Sequence, residues 1–161
     1  MEKVSSPYAP PTEARLPAAA VDGVLTRRVG AFVVDYLIII GVTMALALVV
    51  AVLGVVTLGL GWLLFLVWGP IIALIALTYV WRTLGGPNQA TLGMQMMDIR
   101  LVRLDGGRID GLTAIVHSVL FWAGNVFLTP LILLAALFTD YKRTLHDLLL
   151  GTAVVRTSTQ A

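Results

Sequence analysis

The chain has 161 residues, of which 58% are hydrophobic and only 12% are charged, and it contains no cysteine. A soluble domain carries about 25% charged residues, so a soluble or disordered protein is excluded. Disulfides and thiolate metal sites are excluded too, and the net charge of +2 gives no indication of nucleic-acid binding.

The N-terminal segment, residues 1–25, is polar and contains four prolines. It has no early apolar stretch of the kind found in a signal peptide. We therefore expect residues 1–25 to form a disordered tail outside the folded domain.

Residues 36–81 contain no Asp, Glu, Lys or Arg. A single helix of this length would be about 69 Å long, more than twice the roughly 30 Å of membrane hydrocarbon, so the segment must fold back. Three glycines between Gly54 and Gly61 mark the reversal. The pattern predicts membrane spans near 29–53 and 62–81.

The loop that follows has a strand-like pattern from Ile99 to Leu104 and then the turn sequence Asp105-Gly106-Gly107. Arg108-Ile109 is placed to pair back on this strand. We expect a short β-hairpin-like loop on the membrane surface.

A second uncharged run, residues 111–139, contains His117, Asn125 and Pro130. It predicts a third span near 112–138. A single crossing is the favoured interpretation, and a segment that re-enters on the same side is the alternative.

The basic residues give conflicting indications about these topologies. Arg27 and Arg28 precede the first span, which predicts a cytoplasmic N-terminus by the positive-inside rule. A single third crossing would put Lys142, Arg143 and Arg156 outside, against that rule, whereas re-entry would keep them inside. The side of the C-terminus is therefore open.

These patterns predict an all-α integral membrane protein. It would be a small bundle of about three transmembrane segments with one hairpin-like loop. The transmembrane domain would cover residues 26–156, followed by a polar tail at 157–161. The expected location is the plasma membrane, with several passes.

Asp35 is the residue least expected in such a chain. It lies about six residues inside the predicted first span, where a carboxylate costs roughly 2–3 kcal/mol. It must be paired, hydrated or protonated. Arg28 lies seven residues earlier and therefore on the same helix face.

A second group of polar residues follows the third hydrophobic run. The sequence Arg143-Thr-Leu-His146-Asp147 is followed by an apolar stretch and by Gly151-Thr152. The pattern is typical of a segment that returns to the bundle, where Asp147 would pair with Arg28 or with His146.

These motifs together resemble the RDD family of membrane proteins, which is named for one arginine and two aspartates. The first helix matches at Arg28 and Asp35, with Arg27 beside them. Thr91-Leu-Gly93, the strand Ile99–Val102 and Asp105-Gly106 resemble the middle of the family pattern. Arg143 to Asp147, Gly151-Thr152 and Val154-Val155 resemble its C-terminal part, and the similarity covers roughly residues 24–156.

The resemblance implies an Arg28, Asp35 and Asp147 charge cluster, with His146, Arg143 and His117 as supporting residues. Two positions depart from the family pattern. Met94 stands where a basic residue is frequent, and His117 stands where an arginine is common. A proposal attached to the family is cation–proton exchange.

Two functions fit these observations. The first is a structural or assembly component of a membrane complex, in which the buried Arg-Asp-Asp cluster fixes helix packing. The alternative is transport or exchange of a small cation or proton through Asp35 and Asp147, with Arg28 adjusting their ionisation. The expected partners are the lipid bilayer and either a second copy or another membrane protein.

Enzyme activity is not expected, because no nucleophile motif or phosphate-binding loop is present. No cofactor is implied. Two histidines and no cysteine do not by themselves define a metal site.

Overall fold

The computed structural model describes residues 16–128, 139 and 142–158. Residues 1–15, most of the predicted tail, lie outside this part of the chain. The elements are mainly helical: α1 Ala18–Val21, α2 Val24–Val56, a 3₁₀ helix Leu60–Val67, α3 Trp68–Thr83, α4 Leu92–Met96, β1 Ile99–Arg103, α5 Gly111–Leu128, α6 Leu145–Leu150 and β2 Thr152–Arg156.

Helix α2 is longer than the span predicted near 29–53. Its 33 residues extend about 50 Å, well beyond the roughly 30 Å of bilayer hydrocarbon. The uncharged part from Tyr36 to Val56 is about 31 Å long by itself. Asp35 lies directly before this uncharged part of α2.

The reversal after α2 occurs at the predicted glycines. A Cβ on Gly54 would lie 1.8 Å from the Trp62 ring, and one on Gly61 would lie 2.6 Å from the backbone N of Gly54. The two segments approach each other more closely than any larger residue allows. Pro70 is the third residue of α3, in the first turn, where a missing N–H costs little.

Two helical segments are long and apolar enough to cross a membrane, Ala19–Val56 and Leu60–Thr83. Most of their large apolar side chains are exposed, including Leu48 at 67% and Leu74 at 67%. These faces are suited to lipid or to another helix rather than to water.

The strand pairing differs from the predicted hairpin. β1 forms where it was expected, but its antiparallel partner is β2, with Ile99 opposite Arg156 and Arg103 opposite Thr152. Arg108-Ile109 is not part of this sheet. Ile99, Leu101 and Val155 are fully buried. Burial of these side chains against distant elements therefore favours β2 as the partner of β1 over the segment that the local turn would bring back.

The third hydrophobic segment is described only in its first part, as α5. Residues 129–138 lie outside the described residues, so a third span is not confirmed. β1 precedes this segment and β2 follows it, and the two strands are hydrogen-bonded. The choice between a single crossing and re-entry therefore stays a prediction.

The buried core lies at one end of the molecule, around the two strands. Its central cluster joins both strands to the first turns of α2 and to the ends of the helices next to them: Val24, Ala31, Leu84, Ile99, Leu101, Ile109, Ala114 and Val154. We call α4, β1, α6 and β2 the compact end. The long helices project from the compact end with their apolar faces uncovered.

Candidate functional site

Asp35 is held by three residues from two other segments of the chain. Its Oδ1 accepts hydrogen bonds from the Tyr79 hydroxyl at 2.6 Å and from the Gly93 N–H at 2.8 Å. Its Oδ2 accepts one from the Thr91 hydroxyl at 2.6 Å. We call these four residues the Asp35 cluster; it joins α2 to α3 and to the start of α4.

The local sequence explains how α4 reaches Asp35. Thr91 is the N-cap of α4, and its hydroxyl accepts the Met94 N–H at 3.2 Å while it donates to Asp35. A Cβ on Gly93 would lie 2.2 Å from the carbonyl oxygen of Ala31, so only glycine allows this approach to α2. The Thr-x-Gly pattern thus supplies two of the three donors.

Arg28 and Asp147 form an ion pair, with Nη1 and Oδ2 2.6 Å apart. The Asp147 side chain is fully buried, and that of Arg28 is 14% exposed. Thr144 completes the contact, since its hydroxyl and its N–H donate to Oδ2 at 2.8 and 3.1 Å. The pair joins the first turns of α2 to α6, at opposite ends of the sequence.

The predicted cluster of three charges is therefore two separate sites. Among the described residues, Asp35 forms no ion pair with Arg28, and its hydrogen-bond donors are not the ones that contact Asp147. The sequence put Arg28 and Asp35 on one face of α2, but two helical turns separate them along the axis. Each finds its partners in a different part of the compact end.

Both histidines lie beside Asp147. His117 Nδ1 is 3.8 Å and His146 Nε2 is 3.9 Å from Asp147 Oδ1, and the two rings meet edge to face at 4.6 Å. We call Arg28, His117, Thr144, His146 and Asp147 the Asp147 cluster. His146 and Asp147 are adjacent in α6, and 3.9 Å is too long for a hydrogen bond between them.

Burial and neighbouring charges shift the pKa values of this cluster in opposite directions. Burial alone raises the pKa of Asp147, but the Arg28 guanidinium and the two histidines outweigh it and lower the pKa to about 2. Burial lowers the pKa of His146 below its ordinary value, and the Asp147 carboxylate opposes that shift only in part. The pair is thus ionised at neutral pH beside a neutral His146.

Arg143 contributes through its backbone, whose carbonyl accepts a hydrogen bond from the Thr139 hydroxyl. Sequence reasoning missed Tyr79 and Thr144. The signal for Tyr79 is a phenol inside an otherwise apolar span, and the signal for Thr144 is its position three residues before Asp147, which is typical of a capping box.

A cavity of ≈ 330 Å³ lies between α3 and α5. Its lining is apolar apart from Ser118: Ala76, Leu77, Val80, Ser118, Val119, Trp122 and Ala123. None of the charged residues described above borders it. The cavity therefore offers no polar path to either carboxylate.

The two clusters suit different chemistry. Both oxygens of Asp35 accept short hydrogen bonds, so this carboxylate acts as an anchor for α4. In the Asp147 cluster, Oδ2 is similarly engaged, whereas Oδ1 faces two imidazoles.

The sequence model of the RDD family matches residues 23–151 of the chain. The match begins just before α2 and ends at the last residue before β2, so it includes both clusters. Neither the curated proteins nor the solved structures contain a match.

Proposed function

Because the chain belongs to the RDD family, whose members are membrane-associated, we propose that it is a structural or assembly component of a membrane complex. The observation that carries this proposal is that both aspartates are occupied in holding the compact end against α2. Asp35 accepts hydrogen bonds from α3 and α4, and Asp147 pairs with Arg28. Interhelical polar contacts of this kind fix the packing of membrane helices.

The exposed faces of the long helices supply the assembly surface. Leu37, Met44, Leu48 and Val55 recur at helical spacing along α2, and each is more than 60% exposed. A stripe of large apolar side chains along about 27 Å of helix is suited to lipid and to a second copy of the chain or another membrane protein.

The plasma membrane and a cytoplasmic compact end belong to the same proposal. The antiparallel pairing of β1 with β2 supports a C-terminus on the side of the N-terminus. That topology puts Arg28, Arg100, Arg143 and Arg156 on one side of the membrane, as the positive-inside rule favours. It removes the conflict that a single third crossing would create.

Cross-linking tests the assembly surface. Since the chain has no cysteine, Leu48→Cys introduces a unique thiol on the exposed stripe of α2. We expect mild oxidation in membranes to give a disulfide-linked dimer with Leu48→Cys, and little with Leu74→Cys, an equally exposed position on α3. A monomeric mass in detergent together with no cross-link at any α2 position would contradict assembly through copies of this chain.

Transport of a small cation or proton through Asp35 and Asp147 is the alternative. Purified protein in vesicles with a trapped pH indicator distinguishes the two functions. Under the assembly proposal, wild-type vesicles show no cation-dependent proton flux, and Asp35→Asn lowers thermal stability. Flux in the wild type that Asp35→Asn abolishes without a change in stability would establish transport instead.

A further inference from the structure

Three side chains of the types that bind metal ions, two imidazoles and one carboxylate, converge in the Asp147 cluster. His117 comes from α5, while His146 and Asp147 come from α6. One ligand atom from each lies within 4.8 Å of the other two. His117 lies 29 residues before His146, so its proximity to the adjacent residues His146 and Asp147 is a product of the fold.

The two oxygens of Asp147 have different surroundings. Oδ2 accepts hydrogen bonds from Arg28 Nη1 and from both donors of Thr144. Oδ1 accepts a single long hydrogen bond, 3.3 Å, from the Thr152 hydroxyl among the described residues. Oδ1 therefore keeps acceptor capacity on the side that faces the two imidazoles.

His117 supplies an independent indication. Its Nδ1 is buried and makes no hydrogen bond with the part of the chain that the structure describes. Leaving a buried polar atom unsatisfied costs about 1–3 kcal/mol, so such atoms usually have a reason. This nitrogen lies on the side of the ring that faces Asp147 Oδ1, 3.8 Å away.

We propose that His117 Nδ1, His146 Nε2 and Asp147 Oδ1 bind one divalent transition-metal ion, with Zn²⁺ as its representative. Two imidazoles and one carboxylate are a common zinc ligand set that leaves a fourth position open. Metal bonds of about 2.0–2.2 Å put neighbouring ligands roughly 3.4 Å apart. The two imidazole nitrogens lie 3.8 and 3.9 Å from Asp147 Oδ1, so each of these distances must shorten by about half an ångström. The distance between the two imidazole nitrogens must shorten somewhat more.

The residues around the ligands orient them, although Thr144 Oγ1 also lies 3.0 Å from His146 Nε2, a contact that a metal ion bound at Nε2 would replace. Arg28 and Thr144 hold Oδ2 and so orient Oδ1, as hydrogen-bonded residues behind a ligating carboxylate generally do. Phe121 packs against the His146 ring at 5.5 Å and limits its movement. The positive charge of Arg28 repels the cation, but the guanidinium contacts Oδ2, the oxygen that points away from the proposed metal position. The site goes beyond the proposed assembly function and does not depend on it.

Zinc titration of the intact chain tests the site. The protein carries a purification tag without histidine, is stripped with a chelator in detergent, and is titrated with Zn²⁺ against a fluorescent zinc indicator. We expect one ion per chain and at least a tenfold weaker affinity in His117→Gln, because one of three ligands is lost. Asp105→Asn, which alters a carboxylate that is 56% exposed and lies outside the site, is the matched control and should bind as the wild type does.

Two further measurements separate lost binding from lost folding. His117→Gln should unfold at the wild-type temperature without zinc and should lose only the stabilisation that zinc adds. X-ray absorption of the zinc-loaded wild type should show two imidazole ligands, which is informative even if the variant fails to fold. Unchanged zinc affinity in His117→Gln, or a wild-type spectrum without imidazole, would overturn the proposal.

Discussion

Tyr79 connects Asp35 to the start of α4. Its hydroxyl donates to Asp35 and accepts the Leu92 N–H at 3.0 Å. Tyr79→Phe removes both contacts and leaves Asp35 with the donors of Thr91 and Gly93. Because hydrogen bonds to charged groups contribute about 1.5–3 kcal/mol, we expect a loss of about 2 kcal/mol in the free energy of unfolding.

Denaturant titration of the protein in micelles measures this loss. Tyr36→Phe is the control, since Tyr36 lies next to Asp35 in α2, is half exposed, and has no recorded hydrogen bond in the described chain. If both substitutions had the same effect, Tyr79 would have no special part in the Asp35 cluster.

Asp147 makes stability depend on pH in the acid range. Its pKa in the folded protein, about 2, is below the ordinary 3.8, so its contribution is complete above pH 3.8 and is lost as the pH falls through about 2. A shift of this size corresponds to about 2 kcal/mol. We expect the unfolding temperature of metal-free protein to fall steeply between pH 4 and pH 2.

Two variants isolate this contribution. Asp147→Asn should be less stable at pH 7 and should show a shallower slope below pH 4. Asp105 also has a pKa of about 2, lowered by its hydrogen bond with Arg103, but its side chain is 56% exposed. Water screens such a pair, so Asp105→Asn should retain the wild-type slope. An identical slope in Asp147→Asn would contradict the prediction.

At the scale of the element, the short helix α4 depends on Gly93. Gly93→Ala puts a Cβ 2.2 Å from the Ala31 carbonyl oxygen and 2.8 Å from the Asp35 carboxylate. Since the first contact is with backbone, α4 must move away from α2, at a cost of about 1–3 kcal/mol or more.

Thermal unfolding and proteolysis of the loop that contains α4 measure this displacement. Gly41→Ala is the matched control, because a Cβ there meets nothing within 4 Å and alanine favours helix. We expect Gly41→Ala to be neutral or stabilising. Equal stability of both variants would show that α4 tolerates the displacement.

The sequence predicted those elements that depend on local pattern. The absence of charged residues predicted both long helices, because a membrane span needs a long uncharged run. Three glycines predicted the reversal between them, because backbone sterics act within a few residues. The sequence does not predict that α2 begins at Val24, since Arg27 and Arg28 mark the end of the apolar span and not the end of the helix. The partner of β1 was also missed, because an Asp-Gly turn favours a local hairpin whereas β2 lies about 50 residues further on.

The candidate site was predictable in its residues but not in its arrangement. The sequence indicates that Asp147 pairs with Arg28 or with His146, and it does not decide between them. Asp35 was assigned to the same cluster because sequence gives the helix face but not which other segment meets it. His117 is named only as a supporting residue, and its position beside His146 is not predictable, since α5 and α6 are brought together only by tertiary packing.

For the whole molecule, the sheet predicts where each loop lies relative to the membrane. The cysteine-free chain allows single thiols at Arg108, Leu58 and Thr157. We expect a membrane-impermeant maleimide to label Arg108→Cys and Thr157→Cys from one side and Leu58→Cys from the other. Labelling of Thr157→Cys together with Leu58→Cys would exclude the β1–β2 pairing in the membrane.

The distance along the chain between Arg28 and its partners has a consequence for biosynthesis. Arg28 and Thr144 are 116 residues apart, so a ribosome takes about 6–23 s to produce the second after the first. During that interval α2 is already available for insertion, while Arg28 lacks its counter-ion and β1 has an unpaired edge. A nascent chain in this state exposes a strand that other polypeptides can join. Both contacts, the ion pair of Arg28 and the pairing of β1, form only after α6 and β2 have been synthesised.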